Sequence, residues 1–243
     1  MNYNWNWHIF FEPNPMGTGT YLDMLLSGLV LTIKTALLAW VIALIFGSII
    51  GVVRTLPSKA ASWIGFGYVE FFRNMPLLVQ LFLWFFVLPE VLPPAAGLWL
   101  KQLPNAPFWT AAIGVGLFMS ARVAVQLQAG ISSLPRGQRQ AATALGLTTV
   151  QVYRYVLLPM GFRIILPPLT SEFLNTIKNT AVAITIGLLE LTGQARSMQE
   201  FSFQVFEAFT AATLLYLLIN AIVVTAMRFL ERYVAIPGYI TGK

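Results

Sequence analysis

The stretch from Gln140 to Pro159, QAATALGLTTVQVYRYVLLP, is a polar island between strongly apolar segments. Its alanines and leucines favour helix, and Gly146 supplies a helix stop. Ser133 fits the N-cap of the helix before Gly146, while Thr148 with Gln151 fits a capping box that begins another. The pattern therefore predicts two short helices with a sharp corner between them, outside the membrane.

The composition places the rest of the chain in a lipid bilayer. Of its 243 residues, 57% are hydrophobic and only 10% are charged, which leaves too little polar surface for a soluble globule. The chain has no cysteine and one histidine, His8, so we expect no metal site. Its net charge of +6 comes from scattered basic residues rather than a basic stripe, so we expect no nucleic-acid partner.

Five apolar stretches are long enough to cross a hydrocarbon core, which takes roughly 20 helical residues. They are Ser27–Val53, Val69–Leu88, Pro107–Leu127, Ile164–Leu189 and Ala208–Phe229. In the fourth stretch Pro167 and Pro168 predict a broken backbone. We therefore predict an all-α membrane protein with five transmembrane helices, forming a single transmembrane domain over residues 1–243.

The positions of lysine and arginine predict the orientation of the spans, because cytoplasmic loops carry an excess of both. Basic residues cluster after the first span, in the connection after the third and at the end of the chain: Arg54, Lys59, Arg136, Arg139, Arg154, Arg163, Arg228, Arg232 and Lys243. The alternate connections are mostly acidic. The N-terminus is therefore predicted outside, with residues 1–20 as an extracytoplasmic tail, and the C-terminus inside, with residues 132–163 as a cytoplasmic loop. As a multi-pass membrane protein, the chain is expected to have membrane lipid among its partners.

The spacing of Gln140-Ala141-Ala142, Gly146, Val156 and Leu158-Pro159 resembles the loop by which membrane subunits of bacterial ATP-binding-cassette (ABC) importers dock onto their ATPases. The chain departs from that family at Gln140, where the family has glutamate, and at Val156, where it has isoleucine. The resemblance implies that the loop couples the chain to a separate ATPase through Gln140, Ala141, Ala142, Gly146, Leu158 and Pro159.

A nucleotide-binding motif is absent from the sequence. Its only Gly-Lys pair, Gly242-Lys243, ends the chain and does not fit a phosphate-binding loop. We therefore expect that the chain is not an enzyme and binds no cofactor, and that ATP is bound by the partner ATPase.

Three further segments resemble permeases of the polar-amino-acid uptake family: 70–80, 126–146 and Lys178-Asn179-Thr180. The similarity runs from about Tyr21 to Pro237 and is closest to the glutamate/aspartate subgroup, which the opening Asn-Trp-Asn-Trp and the Ala121-Arg122 pair also resemble. It implies a five-helix permease in the bacterial inner membrane that works as a dimer. The implied partners are a second permease, identical or homologous, ABC ATPase subunits and a periplasmic amino-acid-binding protein.

Ionisable side chains at bilayer depth are costly, so each needs a partner or a function. Arg122 has no acidic residue three or four positions away, and a guanidinium can hold a carboxylate through two parallel hydrogen bonds. The alternative is a structural pair with Glu172 or Glu70. Glu70 and Arg73 also fit a structural pair, and Lys34 fits a side chain that reaches the interface. The candidate substrate-binding residues are Arg122, Glu70, Arg73, Asn74, Gln80, Lys178 and Thr180.

The sequence thus predicts the permease subunit of an ATP-driven amino-acid importer with glutamate or aspartate as substrate. A permease for glutamine or a basic amino acid is the alternative within the same class, and a membrane-depth carboxylate would then matter more than Arg122. A transporter driven by an ion gradient is the rival from another class. Such transporters often contain inverted repeats, and the sequence shows none.

Overall fold

The structure is a computed structural model that describes residues 3–15, 17 and 19–234. Lys243, used above to predict the orientation, and four residues of the predicted tail, Met1, Asn2, Met16 and Thr18, lie outside these ranges. Within them the chain is helical, and its one β contact is an isolated bridge between Pro13 and Thr20. The predicted all-α fold class is confirmed.

Ten α-helices account for most of the described chain. They are α1 (Tyr21–Val53), α2 (Lys59–Asn74), α3 (Leu77–Val91, with a π-helical turn at Leu83–Val87), α4 (Pro94–Lys101), α5 (Ala106–Ser132), α6 (Arg136–Ala144), α7 (Thr149–Val152), α8 (Leu158–Asn179), α9 (Leu191–Ser202) and α10 (Val205–Val234). A π-helical turn at Tyr153–Leu157 joins α7 to α8, and 3₁₀ helices occupy Trp7–Phe11 and Thr180–Ile186.

Three of these helices, α1, α5 and α10, are long and apolar enough to cross a membrane within the described ranges. A fourth crossing is present if α2 and α3, which meet at a bend, form one broken span. The predicted total of five spans and their orientation remain predictions.

The second predicted span, Val69–Leu88, is not one continuous helix. Helix α2 ends at Asn74, Met75 is extended with φ −96° and ψ 127°, and α3 begins after Pro76. Proline lacks a backbone N–H and its ring disfavours the helical conformation of the preceding residue, which accounts for a break at this position.

The predicted break at Pro167 and Pro168 is wrong. Helix α8 runs through both prolines and changes to a 3₁₀ helix only at Thr180. That 3₁₀ helix ends at Gly187, whose φ of +86° lies in the left-handed region that favours glycine. A helix continues through proline where neighbouring groups or small local adjustments satisfy the backbone carbonyl that the proline leaves without a donor.

The described chain forms two compact units. The first comprises the described residues up to Trp40 together with Pro76–Gly116 and Asn175–Ile222, and the second comprises Val41–Met75, Leu117–Leu174 and the described residues from Val223 onward. The earlier assignment of one domain to residues 1–243 remains a prediction.

The first unit has an apolar core in which the N-terminal segment takes part. Ile9 packs with residues of α1, α9 and α10, among them Leu25, Leu191 and Met198. The segment is also held by Glu207 of α10, whose carboxylate accepts hydrogen bonds from the Tyr3 hydroxyl and from the backbone N–H of Asn6 at 2.8 Å. The residues before α1 are therefore docked on the helices of this unit.

The second unit is held together by close helix contacts at small residues. A Cβ added at Gly47 of α1 would lie 2.6 Å from the Val123 side chain of α5, and one at Gly130 of α5 would lie 2.4 Å from Ile165 of α8. Glycine is required at both positions, because any side chain would separate the helices. Such contacts are the usual means of helix association in lipid, where burial of apolar surface gives no driving force.

Candidate functional site

The predicted cytoplasmic loop contains the corner that the sequence indicates. Helix α6 ends at Ala144 with Leu145 as its C-cap, and Gly146 follows with φ +81°. Thr148 and Gln151 form the predicted capping box, in which the Thr148 backbone N–H donates to Gln151 Oε1 at 2.8 Å. Ser133 does not cap α6: its hydroxyl donates to the Gly130 carbonyl of the preceding helix, and Pro135 occupies the N-cap position without a capping side chain.

The loop presents apolar side chains on its outer surface. Leu145 and Val150 beside the corner are 81% and 75% exposed, and Tyr155 is also exposed. The predicted coupling residues Gln140, Ala141, Gly146 and Pro159 are exposed, Leu158 is half-buried, and Ala142 is buried. On the inner side, the Tyr153 hydroxyl donates to the Thr55 carbonyl at 2.7 Å and ties the loop to the end of α1.

Arg122 of the second unit lies beside Glu172, with 3.8 Å between Nη1 and Oε2. Its guanidinium also lies 5.6 Å from the centroid of the Phe118 ring. The Arg122 side chain remains 45% exposed. Glu172, one of the two partners considered in the sequence analysis, therefore lies beside Arg122. At this distance the guanidinium can still donate hydrogen bonds to another group.

Glu70 and Arg73 do not pair as their spacing on α2 indicated. The Glu70 carboxylate accepts a hydrogen bond from Asn74 Nδ2 at 2.7 Å instead. Arg73 and Asn74 are both exposed, and no ion pair of Arg73 occurs within the described ranges. These three candidates form one polar group at the end of α2.

Gln80, Lys178 and Thr180 belong to the first unit. Gln80 of α3 and Thr180 of the 3₁₀ helix Thr180–Ile186 are buried, and these two elements pack against each other. The Thr180 hydroxyl donates to the Ile177 carbonyl at 2.8 Å. Lys178 is exposed.

Two fully buried carboxylates escaped the sequence analysis, which assigned them only to an acidic connection. Glu190 caps α9: it accepts the backbone N–H groups of Thr192 at 3.0 Å and Gly193 at 2.9 Å, and the Tyr216 hydroxyl at 2.8 Å. Glu207 holds the N-terminal segment as described above. For Glu190, the available signal was its place immediately before a helix that begins Leu-Thr-Gly.

Arg54 is the third residue that the sequence analysis missed as a site. It follows α1 directly, packs against Gly65 and lines a cavity at the base of the loop. Burial lowers the pKa of Arg54, the carboxylate of Glu70 raises it, and the charge of Arg73 lowers it. In the N-terminal segment, the pKa of the Tyr3 phenol is raised. Burial is the larger cause, and the hydrogen bond to the Glu207 carboxylate adds to it.

Comparison with known proteins identifies the class to which this chain belongs. Residues 43–236 match the family model described as binding-protein-dependent transport system inner membrane component. The chain belongs to this family. It is therefore the inner membrane component of an ABC transport system, a multi-pass membrane protein and a transport subunit, and its family works with ATPase and substrate-binding partners.

Individual relatives extend the comparison of this inner membrane component. The glutamate/aspartate import permease protein GltJ of Escherichia coli (strain K12) is 48% identical over 246 residues, with full coverage of both chains. The probable glutamine ABC transporter permease protein GlnM of Bacillus subtilis (strain 168) is 31% identical, over 86% of this chain and 93% of the relative. The crystal structure of an amino acid ABC transporter with histidines superposes with a TM-score of 0.74 at 29% identity, covering 88% of this chain and 95% of the other.

Proposed function

We propose that this inner membrane component imports glutamate or aspartate. The observation that carries the proposal is the 48% identity, over the full length of both chains, to a glutamate/aspartate import permease. The ATP is bound and hydrolysed by a separate ATPase, and this chain hydrolyses nothing. No group of acidic or histidine residues that could hold a metal occurs within the described residues, and the proposal requires none.

The loop around the α6–α7 corner transmits the motion of the ATPase to the membrane helices. Its exposed apolar side chains Leu145 and Val150 supply the contact surface, and Gln140, Ala141, Gly146 and Pro159 lie on the same exposed segment. Buried Ala142 and half-buried Leu158 connect that surface to the interior. Because Tyr153 bonds to the end of α1, a displacement of the loop is passed to a membrane-length helix.

Arg122 is the proposed contact for the substrate carboxylate, and a second permease subunit, identical or homologous, completes the transport path. The 3.8 Å separation from Glu172 is longer than a charge-assisted hydrogen bond, so an incoming carboxylate can form the two short bonds that Glu172 does not. The other proposed contacts are Glu70, Arg73, Asn74, Gln80, Lys178 and Thr180.

Glutamine is the second candidate substrate, favoured by the 31% identity to a probable glutamine permease. Glutamine has nearly the shape of glutamate but carries an amide in place of the side-chain carboxylate. Comparing the uptake of the two substrates therefore shows whether the site recognises the charge or only the shape. A cation that holds the side-chain carboxylate would contribute to glutamate transport and little to glutamine transport.

The test is uptake of radiolabelled glutamate, aspartate, glutamine and arginine in vesicles that contain this chain, its partner permease, ATPase and binding protein. We expect ATP-dependent uptake of the two acidic amino acids, reduced about tenfold or more by Arg122→Ala because a charge-assisted pair of hydrogen bonds is lost. Arg196→Ala is the matched control, since Arg196 is exposed on α9 and pairs with Glu200. Unchanged uptake by Arg122→Ala would remove Arg122 from the site, and uptake without ATP would refute the importer function.

A further inference from the structure

A cavity of about 300 Å³ lies in the second unit, at the base of the predicted cytoplasmic loop. Arg54, Arg136 and Arg139 line it together with Pro135, Ile131 and Tyr153. The transport function uses none of the three arginines. None of the residues that line the cavity is acidic.

Three guanidinium groups around one cavity repel one another. The Glu70 carboxylate acts electrostatically on Arg54 but does not line the cavity, so it balances at most one of the three charges. The Arg54 side chain is placed between α1 and α2, and its Nη1 atom is buried without a hydrogen-bond partner among the described residues. A buried charged donor without an acceptor is costly, so a ligand that accepts its hydrogen bond would be bound with a gain.

The N-terminus of α6 adjoins the same cavity, because Pro135 and Arg136 both line it. The Gln138 N–H bonds to the Pro135 carbonyl, which leaves the N–H groups of Arg136 and Gly137. Helix α6 is nine residues long and starts at Arg136, and its N-cap residue Pro135 has no side chain that could accept a hydrogen bond from the first turn. The first backbone N–H groups of a helix lack partners within the helix and carry its positive dipole end. This arrangement favours an anion, and phosphate above all.

The level of the cavity follows from the helices that end there. Membrane-length α1 ends at Val53, immediately before Arg54, and α5 ends at Ser132, which itself lines the cavity. An apolar helix of this length ends where the hydrocarbon core gives way to the polar headgroups. The anion available at that level in every bacterial membrane is the phosphate of an anionic phospholipid.

We propose that this cavity binds the phosphate headgroup of an anionic phospholipid through Arg54, Arg136, Arg139 and the N-terminal amides of α6. Arginine forms paired hydrogen bonds with phosphate oxygens, and basic pockets between membrane helices bind such headgroups. The bound lipid fixes the start of α6, the helix that carries Gln140, Ala141 and Ala142. The binding site stands independently of the transported substrate, whereas an effect of the lipid on coupling rests on the function proposed above.

The test uses the complete complex in nanodiscs of phosphatidylglycerol or phosphatidylcholine with the same acyl chains. Native mass spectrometry measures lipid retained by the released complex, and a thermal melt measures stabilisation. We expect retention of phosphatidylglycerol over phosphatidylcholine, weakened about tenfold by Arg54→Gln, because one charge-assisted pair of hydrogen bonds is removed. Arg54→Lys retains the aliphatic stem and the charge but cannot form paired hydrogen bonds. Its retention of phosphatidylglycerol should therefore lie between that of the wild type and that of Arg54→Gln.

Arg196→Gln on α9 is the control for loss of one positive charge outside the cavity. Equal retention of the two lipids by the wild-type complex, or equal weakening by Arg196→Gln and Arg54→Gln, would overturn the proposal. A third arm adds inorganic phosphate to the phosphatidylcholine nanodiscs. If phosphate alone stabilises the complex as much as phosphatidylglycerol does, the site binds free phosphate and the lipid assignment is wrong. If Arg54→Gln fails to assemble, Arg139→Gln tests the same prediction.

Discussion

At the scale of single residues, the buried acid Glu190 holds several helices together. Glu190 has no exposed surface, and its carboxylate accepts two backbone N–H groups of α9 together with the Tyr216 hydroxyl. Thr32 of α1 lies within 3.3 Å of the same carboxylate and in turn accepts the backbone N–H of Leu191. One side chain thus joins three helices of the first unit.

We predict that Glu190→Gln destabilises the protein by about 1–3 kcal/mol, because the amide replaces an acceptor by a donor and leaves a buried donor unsatisfied. The measurement is the melting temperature of the purified complex in detergent. Glu200→Gln on the same helix is the matched control: Glu200 forms an exposed pair with Arg196, which contributes little. Equal melting temperatures of Glu190→Gln and wild type would show that the network does not stabilise the unit.

At the scale of elements, the corner between α6 and α7 depends on one glycine. Gly146 has φ +81°, and a Cβ at this position would meet no atom within 4 Å, so any cost of a side chain is conformational. We predict that Gly146→Ala strains the corner by about 1–2 kcal/mol. The ATPase should then co-purify less well with the complex.

Gly67 provides the control for the Gly146 variant. It lies within α2, and a Cβ there would also meet nothing within 4 Å, but its backbone is not in the left-handed region. Gly67→Ala should therefore leave ATPase retention unchanged. If Gly146→Ala retains the ATPase fully, the corner is not needed for ATPase binding. If both variants lose the ATPase, the added methyl group and not the left-handed backbone at Gly146 accounts for the loss.

The N-terminal segment is a second element whose contacts give a prediction. Tyr3→Phe removes the hydroxyl that donates to Glu207, so the segment should become more sensitive to protease, and Tyr155→Phe on the exposed loop should not change it. Because the Tyr3 pKa is raised, its contribution to docking is complete below about pH 10 and is lost as the pH rises through the raised value. Protease sensitivity that is the same for Tyr3→Phe and wild type would contradict this role.

The features that the sequence predicted are those governed by neighbours along the chain. The Gly146 stop and the capping box at Thr148 follow local rules, and both are present. The burial of Glu190 and the cavity beside Arg54 depend on residues far apart in sequence, so spacing alone did not reveal them. The uncapped start of α6 is local: Ser133 bonds to the Gly130 carbonyl, so the N-cap position falls to Pro135. The prediction at Pro167 was wrong because a helix can continue through proline where other groups satisfy the freed backbone carbonyl, and the sequence alone does not show whether they do.

At the scale of the whole molecule, the topology depends on whether α8 crosses the membrane. Helices α1, α5 and α10 are long and apolar enough, but α8 with its 3₁₀ extension is not among the helices that meet those criteria. Its hydropathy is lowered by the polar residues of the Ser171–Thr180 segment. The positions of lysine and arginine nevertheless predict a crossing between the α6–α7 corner and α9.

Because the sequence contains no cysteine, single cysteines report accessibility without prior removal of others. We predict that a membrane-impermeant maleimide labels Gln102→Cys and Glu200→Cys in intact cells but labels Thr149→Cys only after permeabilisation. Thr149 and Glu200 lie on either side of α8, so opposite behaviour of these two variants requires a crossing between them. Labelling of Glu200→Cys only after permeabilisation would place α9 on the same side of the membrane as the loop. The predicted crossing at α8 would then be wrong, and the chain would have fewer spans than its charge pattern predicts.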